Sequence, residues 1–224
     1  TIRERAQALI EIAHPEDRAE LVERAKKANL LYKDQIFLAD SAHFYPADIE
    51  TRHTFKDKLD VRFRAIKPSD EDQMRRLFYR FSDKAIYYRY FSPIKTMPHE
   101  KIQEYINVDY RDALSIVALV GDPEQQTIIA EARFVKHKNK PFVDVAFVVD
   151  EAYQGYGIAS YLYQMLARLA KEKGAQGITA DVLASNRAML KVFEKGNFPV
   201  QARLEQGVYE LTIDLSGDLS AQKN

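Results

Sequence analysis

The stretch Val143-Asp144-Val145-Ala146-Phe147-Val148-Val149-Asp150-Glu151-Ala152-Tyr153-Gln154-Gly155-Tyr156-Gly157-Ile158-Ala159 constrains this chain more than any other. It begins as a near-continuous run of β-branched and aromatic residues, the composition of a buried strand. Two glycines one residue apart break the run, and from Ile158 the apolar residues recur at helical spacing. A strand that turns through glycine into a helix has chemical consequences. The first-turn N–H groups have no intrahelical acceptor, the macrodipole adds partial positive charge, and glycine admits close approach, so the junction suits a phosphate group. The same residues also fit a tight strand-to-helix connection whose glycines serve packing alone. The stretch is not a P-loop, which needs Gly-Lys-Ser/Thr, nor a full dinucleotide fingerprint, which needs a third glycine and a downstream acid.

Around this junction the chain reads as two parts. Ile2, Ala6, Leu9, Ile10 and Ala13 predict a helix that His14-Pro15 stops; Pro15, Glu16 and Asp17 then open a second, with Leu21, Val22, Ala25 and Ala28 on its apolar face. Residues 34–60 lack periodicity and read as a connector whose Phe37, Phe44, Tyr45 and Phe55 suggest that it packs onto something. From Val61 the pattern changes: Val61–Ile66 alternates as a strand, and Pro68-Ser69-Asp70 opens a helix to about Ser82. Helical segments reach Tyr90 and span Pro98–Ile106. Strands are expected at Leu114–Val120, Thr127–Lys136 and Phe142–Val149, the last two an antiparallel pair across Asn139-Lys140-Pro141. A helix from about Gly157 to Lys173, a strand at Gly177–Leu183, a helix at Asn186–Glu194 and strands near Val200–Leu204 and Val208–Leu215 complete the order. Residues 217–224 form a polar tail.

Composition narrows the possible functions. Thirty-three basic and 33 acidic residues cancel, which argues against a strongly basic nucleic-acid-binding surface. Cys is absent, so disulfides, thiolate metal sites and a cysteine nucleophile are excluded, and the composition fits a cytoplasmic location. His14, His43, His53, His99 and His137 show no metal-ligand spacing, so no metal is expected. No apolar run approaches the ~18 residues of a membrane span.

Gln154-Gly155-Tyr156-Gly157-Ile158-Ala159, lying between an antiparallel strand pair and a second strand–helix unit that ends Phe193-Glu194-Lys195-Gly196-Asn197-Phe198, resembles the GNAT superfamily of coenzyme-A-dependent N-acetyltransferases. Gln154, Gly157 and Ala159 fill the family's Gln/Arg-x-x-Gly-x-Gly/Ala pattern, and the resemblance covers about Val61 to Leu215. Tyr90-Phe91-Ser92-Pro93-Ile94, Asp109-Tyr110, Asp144 and Asn186-Arg187-Ala188-Met189-Leu190 look like the Pat-type bacterial protein lysine acetyltransferases within it. The resemblance implies an α/β (α+β) fold, a mixed, mostly antiparallel central sheet flanked by helices, here preceded by a helical extension. It implies a GNAT domain over 61–216 and an acetyl-CoA-dependent transfer to an amine, a protein lysine in the Pat group.

Site residues follow from the same resemblance. The group's general base is a glutamate, and the matching position holds Asp144, a carboxylate one methylene shorter. Gln154, Gly155, Tyr156, Gly157, Ile158 and Ala159 would hold the coenzyme diphosphate, chiefly through backbone amides. Phe147 and Val149 would flank the pantetheine arm, and Asn186 would contact the coenzyme from the second unit. Two of these have other readings: Asp144 as a solvated strand residue, and Asn186 as a helix cap. Phe193 stands where many relatives carry a tyrosine that protonates the leaving thiolate; Tyr153 and Tyr156 flank the loop as alternatives. The aromatics from Phe78 to Phe91 read as core or as an acceptor-side wall.

Thr1–Ala6 and Ile12–Arg18 resemble the C-terminal tail of acetyl-CoA hydrolases/coenzyme A transferases. That resemblance implies an extension over 1–60 and a fused domain upstream. It leaves two further readings open: an acyl-CoA-binding regulatory module for that domain, or a small-molecule amine acetyltransferase.

Overall fold

A computed structural model describes residues 2–33, 35, 45–122, 125–137 and 140–216. Phe37, His43, Phe44, Pro123, Glu124, Asn139 and the tail 217–224 lie outside the described residues.

Helices α1 (Ile2–Ile12) and α2 (Pro15–Lys27) meet at His14-Pro15 as the sequence predicts. Pro15 occupies the first turn of α2, Glu16 and Asp17 lie at its positive end, and Arg24, Lys26 and Lys27 at its negative end. Ile10, Val22, Ala25 and Leu31 form a small core of their own. The pair is nevertheless docked, because α1 abuts the Pro68–Asp70 turn and Gln35 Nε2 donates to Gln103 Oε1 at 2.7 Å.

One eight-stranded sheet organises the remainder. Its strands are β1 (Thr51–Phe55), β2 (Leu59–Ala65), β3 (Ala113–Val120), β4 (Thr127–Lys136), β5 (Phe142–Val149), β6 (Gly177–Leu183), β7 (Val200–Glu205) and β8 (Val208–Asp214), in spatial order β1-β2-β3-β4-β5-β6-β8-β7. Every neighbouring pair is antiparallel except β5–β6. The sheet therefore takes in Thr51–Phe55, which the sequence reading leaves inside the connector. β1 is an edge strand with Arg52, His53 and Thr54 exposed, so it carries no alternation to find.

Helices cover both faces. Glu131 on β4, in register with Val148 of β5, meets Arg89 of α4 (Asp83–Tyr90). Beside α4 on that face lie α3 (Glu71–Arg80) and α5 (His99–Ile106), whose Tyr105 carbonyl accepts from Arg133. The alternate residue Phe147 points the other way, into the rings of Tyr163 on α6 (Ile158–Glu172) and Phe193 on α7 (Arg187–Glu194). Period-two alternation thus sends Phe147 toward α6 and α7 and Glu131 toward α4.

Candidate active site

The parallel junction of β5 and β6 is short. Phe142, Val143 and Asp144 pair with Gly177, Ile178 and Thr179, and the pairing stops there. Val145–Val149 continue on β5 while Ala180–Leu183 stay paired with β8, so the sheet splits into a wedge. A cavity of about 950 Å³ occupies that wedge, bounded by β5, β6, α4, α7 and the start of α6. Phe147, Val149, Gln154, Gly155, Gly157, Ile158, Ala159 and Asn186 line it together with Asp144. Tyr156 does not; Lys56 Nζ lies over its ring at 5.3 Å, and its backbone amide is what it can offer.

The loop from β5 into α6 is held at its base. Asp150 accepts from Ala152 N at 3.1 Å and pairs with Arg80 of α3 at 2.6 Å, while Glu151 receives both the amide and the hydroxyl of Ser82 at 2.8 Å. Gln154 closes the turn: its N–H goes to the Glu151 carbonyl and its side-chain amide to the Val149 carbonyl at 3.2 Å. Beyond it, no acceptor among the described residues meets the backbone amides of Gly155, Tyr156, Gly157, Ile158, Ala159 or Ser160; the first amide returned to the helix ladder is that of Tyr161, to Gly157 O. Gly155 and Gly157 hold positive φ of 79° and 104°, where side chains other than glycine's are strained. A Cβ on Gly155 would meet nothing within 4 Å, and one on Gly157 would reach the Phe55 ring at 3.8 Å. The loop thus offers donors without an acceptor among the described residues and glycines that admit close approach, and the residues fit an anionic diphosphate.

Asp144 stands at the closed end of the wedge, with its side chain 53% exposed. Its two carboxylate oxygens have different partners. Thr179 Oγ1 donates to Oδ1, and the imidazole Nε2 of His137, just past the end of β4, is hydrogen-bonded to Oδ2. Two residues along β6, Asp181 also lines the cavity; partial burial raises its carboxyl pKa, with Glu210 and Asp144 adding like charge. Sequence reading missed His137 and Thr179 at this site, because each reaches Asp144 from a neighbouring strand.

Asn186 caps a helix and stands at the cavity. Its Oδ1 accepts from Met189 N at 3.2 Å, capping α7, and it lines the cavity. On the α4 side, Tyr88 and Phe91 line the cavity and Tyr88 OH donates to Ser185 O at 3.0 Å; Phe78 is buried core. The aromatic run thus divides between buried core and the cavity lining.

Phe193 is 1% exposed and packs edge-on against Tyr163, ring centroids 5.1 Å apart. Tyr163 OH is buried with no hydrogen-bond partner among the described residues, and burial raises its pKa to about 12. Tyr163 does not line the cavity, whereas Tyr153 does. Behind the α4 wall, Glu131 accepts from Arg133 Nε and Ser115 Oγ at 2.7 Å and lies 3.6 Å from Arg89. Burial pushes its carboxyl pKa up, but Arg133 and Arg89 outweigh that effect and hold it below the usual range. No group of three or more metal-ligating side chains occurs among the described residues, and none of their helices is long and apolar enough to cross a membrane.

The mixed sheet split at one parallel junction, with a donor-lined loop at the mouth of the wedge, is the architecture of an acyl-transfer domain. The Acetyltransferase (GNAT) family model matches residues 81–198, more than half of the chain. The chain belongs to the Acetyltransferase (GNAT) family. It is 33% identical over 154 residues to the acetyltransferase Pat of Mycolicibacterium smegmatis, a match covering 68% of this chain and 45% of that protein. The chain thus spans less than half of that relative's length. The GNAT domain of S. lividans PAT superposes with a TM-score of 0.69 at 29% identity, covering 76% of this chain and 99% of that domain. A cAMP-binding acyltransferase from Mycobacterium smegmatis matches with a TM-score of 0.52 at 25% identity, over 80% of this chain and 51% of that one.

Proposed function

We propose that this domain transfers the acetyl group of acetyl-CoA to the side-chain amine of a protein lysine, with Asp144 as general base. The observation that carries the reading is the row of unpartnered amides from Gly155 to Ser160, which opens onto the same cavity that ends at Asp144. The Pat relative, at 33% identity, supports a protein acceptor.

When bound, acetyl-CoA supplies an acetyl group activated as a thioester. The amides of Gly155, Tyr156, Gly157, Ile158 and Ala159 hold its diphosphate, with Gln154 fixing the loop that presents them. Phe147 and Val149 flank the pantetheine arm along the β5 edge that β6 leaves unpaired, and Asn186 contacts the coenzyme from the start of α7. A free lysine, with a pKa of about 10.4, is mostly protonated at neutral pH. Asp144 takes that proton, directly or through one water, so that the nitrogen lone pair can attack. Phe193 cannot donate a proton. A thiolate whose thiol pKa is about 8.5 departs without an acid, and Tyr153 is a phenol that shares the cavity. Residues 1–60 are assigned to an extension whose fused neighbour lies upstream, 61–216 to the catalytic domain and 217–224 to a tail. The absence of Cys supports a cytoplasmic setting.

Incubating the chain with acetyl-CoA labelled in the acetyl group and a bacterial lysate tests this. Label on lysine side chains is expected. Label confined to small amines would replace the acceptor, and tight coenzyme binding with no transfer would replace the enzyme by an acyl-CoA sensor.

A further inference from the structure

We infer that His137 is a positioning residue for the reaction, fixing the Asp144 carboxylate from the β4 side so that a short aspartate can serve as base; the inference rests on the assignment of that role to Asp144.

An aspartate on an exposed strand position would ordinarily sample several rotamers, because χ1 and χ2 are free and water solvates each equally. Asp144 is not left in that state. Val135 of β4 and Thr179 of β6 are its register partners on either side, and each flanking strand sends one polar group to it. Thr179 donates its hydroxyl to Oδ1. His137 lies two residues beyond Val135, on the same face by period two, and reaches Oδ2 with Nε2. With one donor from each strand, the carboxylate plane is fixed across the closed end of the wedge. Each oxygen accepts one bond and keeps a further lone pair for the incoming amine or a relaying water.

The three residues divide the work by position. Asp144 and Thr179 line the cavity, and His137 does not. Its side chain is 44% exposed on the outer side of the carboxylate, so it acts through Asp144 and touches no reacting atom. This arrangement offsets the missing methylene: a carboxylate with shorter reach must be aimed more closely to sit within hydrogen-bond distance of the proton it removes.

The test uses the full chain, acetyl-CoA and the lysine protein most strongly labelled in the lysate assay, with coenzyme A binding measured separately by calorimetry. His137→Ala is expected to lower kcat by about tenfold or more, with KM for acetyl-CoA and Kd for coenzyme A unchanged. Asp144→Glu placed in the His137→Ala background is expected to recover at least half of that loss, because the longer carboxylate no longer depends on being aimed. Wild-type kcat in His137→Ala while Asp144→Asn is inactive would overturn the positioning role and leave the base in place. A loss that Asp144→Glu does not restore would overturn it equally. Full activity in Asp144→Asn would remove the base itself, and the inference with it.

Discussion

Asp144 and Thr179 form the last rung between β5 and β6, and the Thr179 hydroxyl is hydrogen-bonded to the Asp144 carboxylate across it. The proposed proton acceptor therefore sits where the sheet stops being continuous. Asp144→Asn keeps the size but replaces one accepting oxygen by a donating amide group and removes the basicity. Turnover is expected to fall by roughly 10²–10⁴-fold with coenzyme A affinity unchanged, measured by steady-state kinetics beside calorimetry. An unaltered rate would remove Asp144 from the mechanism.

Gly157 carries φ of +104°, and a Cβ there would touch the Phe55 ring at 3.8 Å. Gly157→Val forces a β-branched side chain into a strained conformation against Phe55, in the middle of the amide row proposed for the diphosphate. A stability loss of about 1–3 kcal/mol is expected from backbone strain, together with a coenzyme A Kd weakened by about 100-fold or more. Thermal denaturation reads the first effect and calorimetry the second. A folded variant with wild-type Kd would displace the loop from its assigned role.

Tyr163 OH is a buried hydroxyl with no partner among the described residues. Removing an unsatisfied buried polar group relieves a desolvation cost, so Tyr163→Phe is expected to match the wild type or exceed it by about 1 kcal/mol. Because Tyr163 lies outside the cavity lining, its turnover should be unchanged. A sharp fall in kcat with intact stability would instead assign Tyr163 to thiolate protonation.

Glu131 is fully enclosed by Arg133, Arg89 and Ser115, and its carboxyl pKa lies below the usual 4.5. A carboxyl depressed in the folded state contributes stability that is present above the unfolded value and is lost as pH falls through the folded one. The Tm of the wild type should therefore drop as pH falls below about 4.5. Glu131→Gln leaves two guanidiniums near-buried without a counter-charge, so at pH 7 it should be less stable by about 3–5 kcal/mol. Its Tm should also depend less steeply on pH in the acid range, which a thermal melt series would measure.

Much of this was readable from local pattern. β5 is a run of β-branched residues, Gly155 and Gly157 mark the turn, and the helical spacing after Ile158 is strong; these are signals within a few residues of one another. Pro15 at the start of α2 is equally local. What escaped depends on partners far along the chain or on the absence of burial. Thr51–Phe55 is an edge strand whose exposed Arg52, His53 and Thr54 give no alternation. His137 and Thr179 lie 7 and 35 residues from Asp144 and converge on it only once strand register is fixed, and no motif encodes that. Tyr156 sits inside the matched loop pattern, yet its ring lies under Lys56 and does not line the cavity.

Three ladder pairs join β5 to β6, with a main-chain bond from Gln176 N to the Pro141 carbonyl just before them. Past them, peptide groups of β5 border a gap that the cavity occupies. An amide-bearing arm laid into that gap would stand in for the absent neighbour strand, so that the cosubstrate completes the architecture as well as feeding the reaction. Loading such a protein would stiffen its two halves into one body.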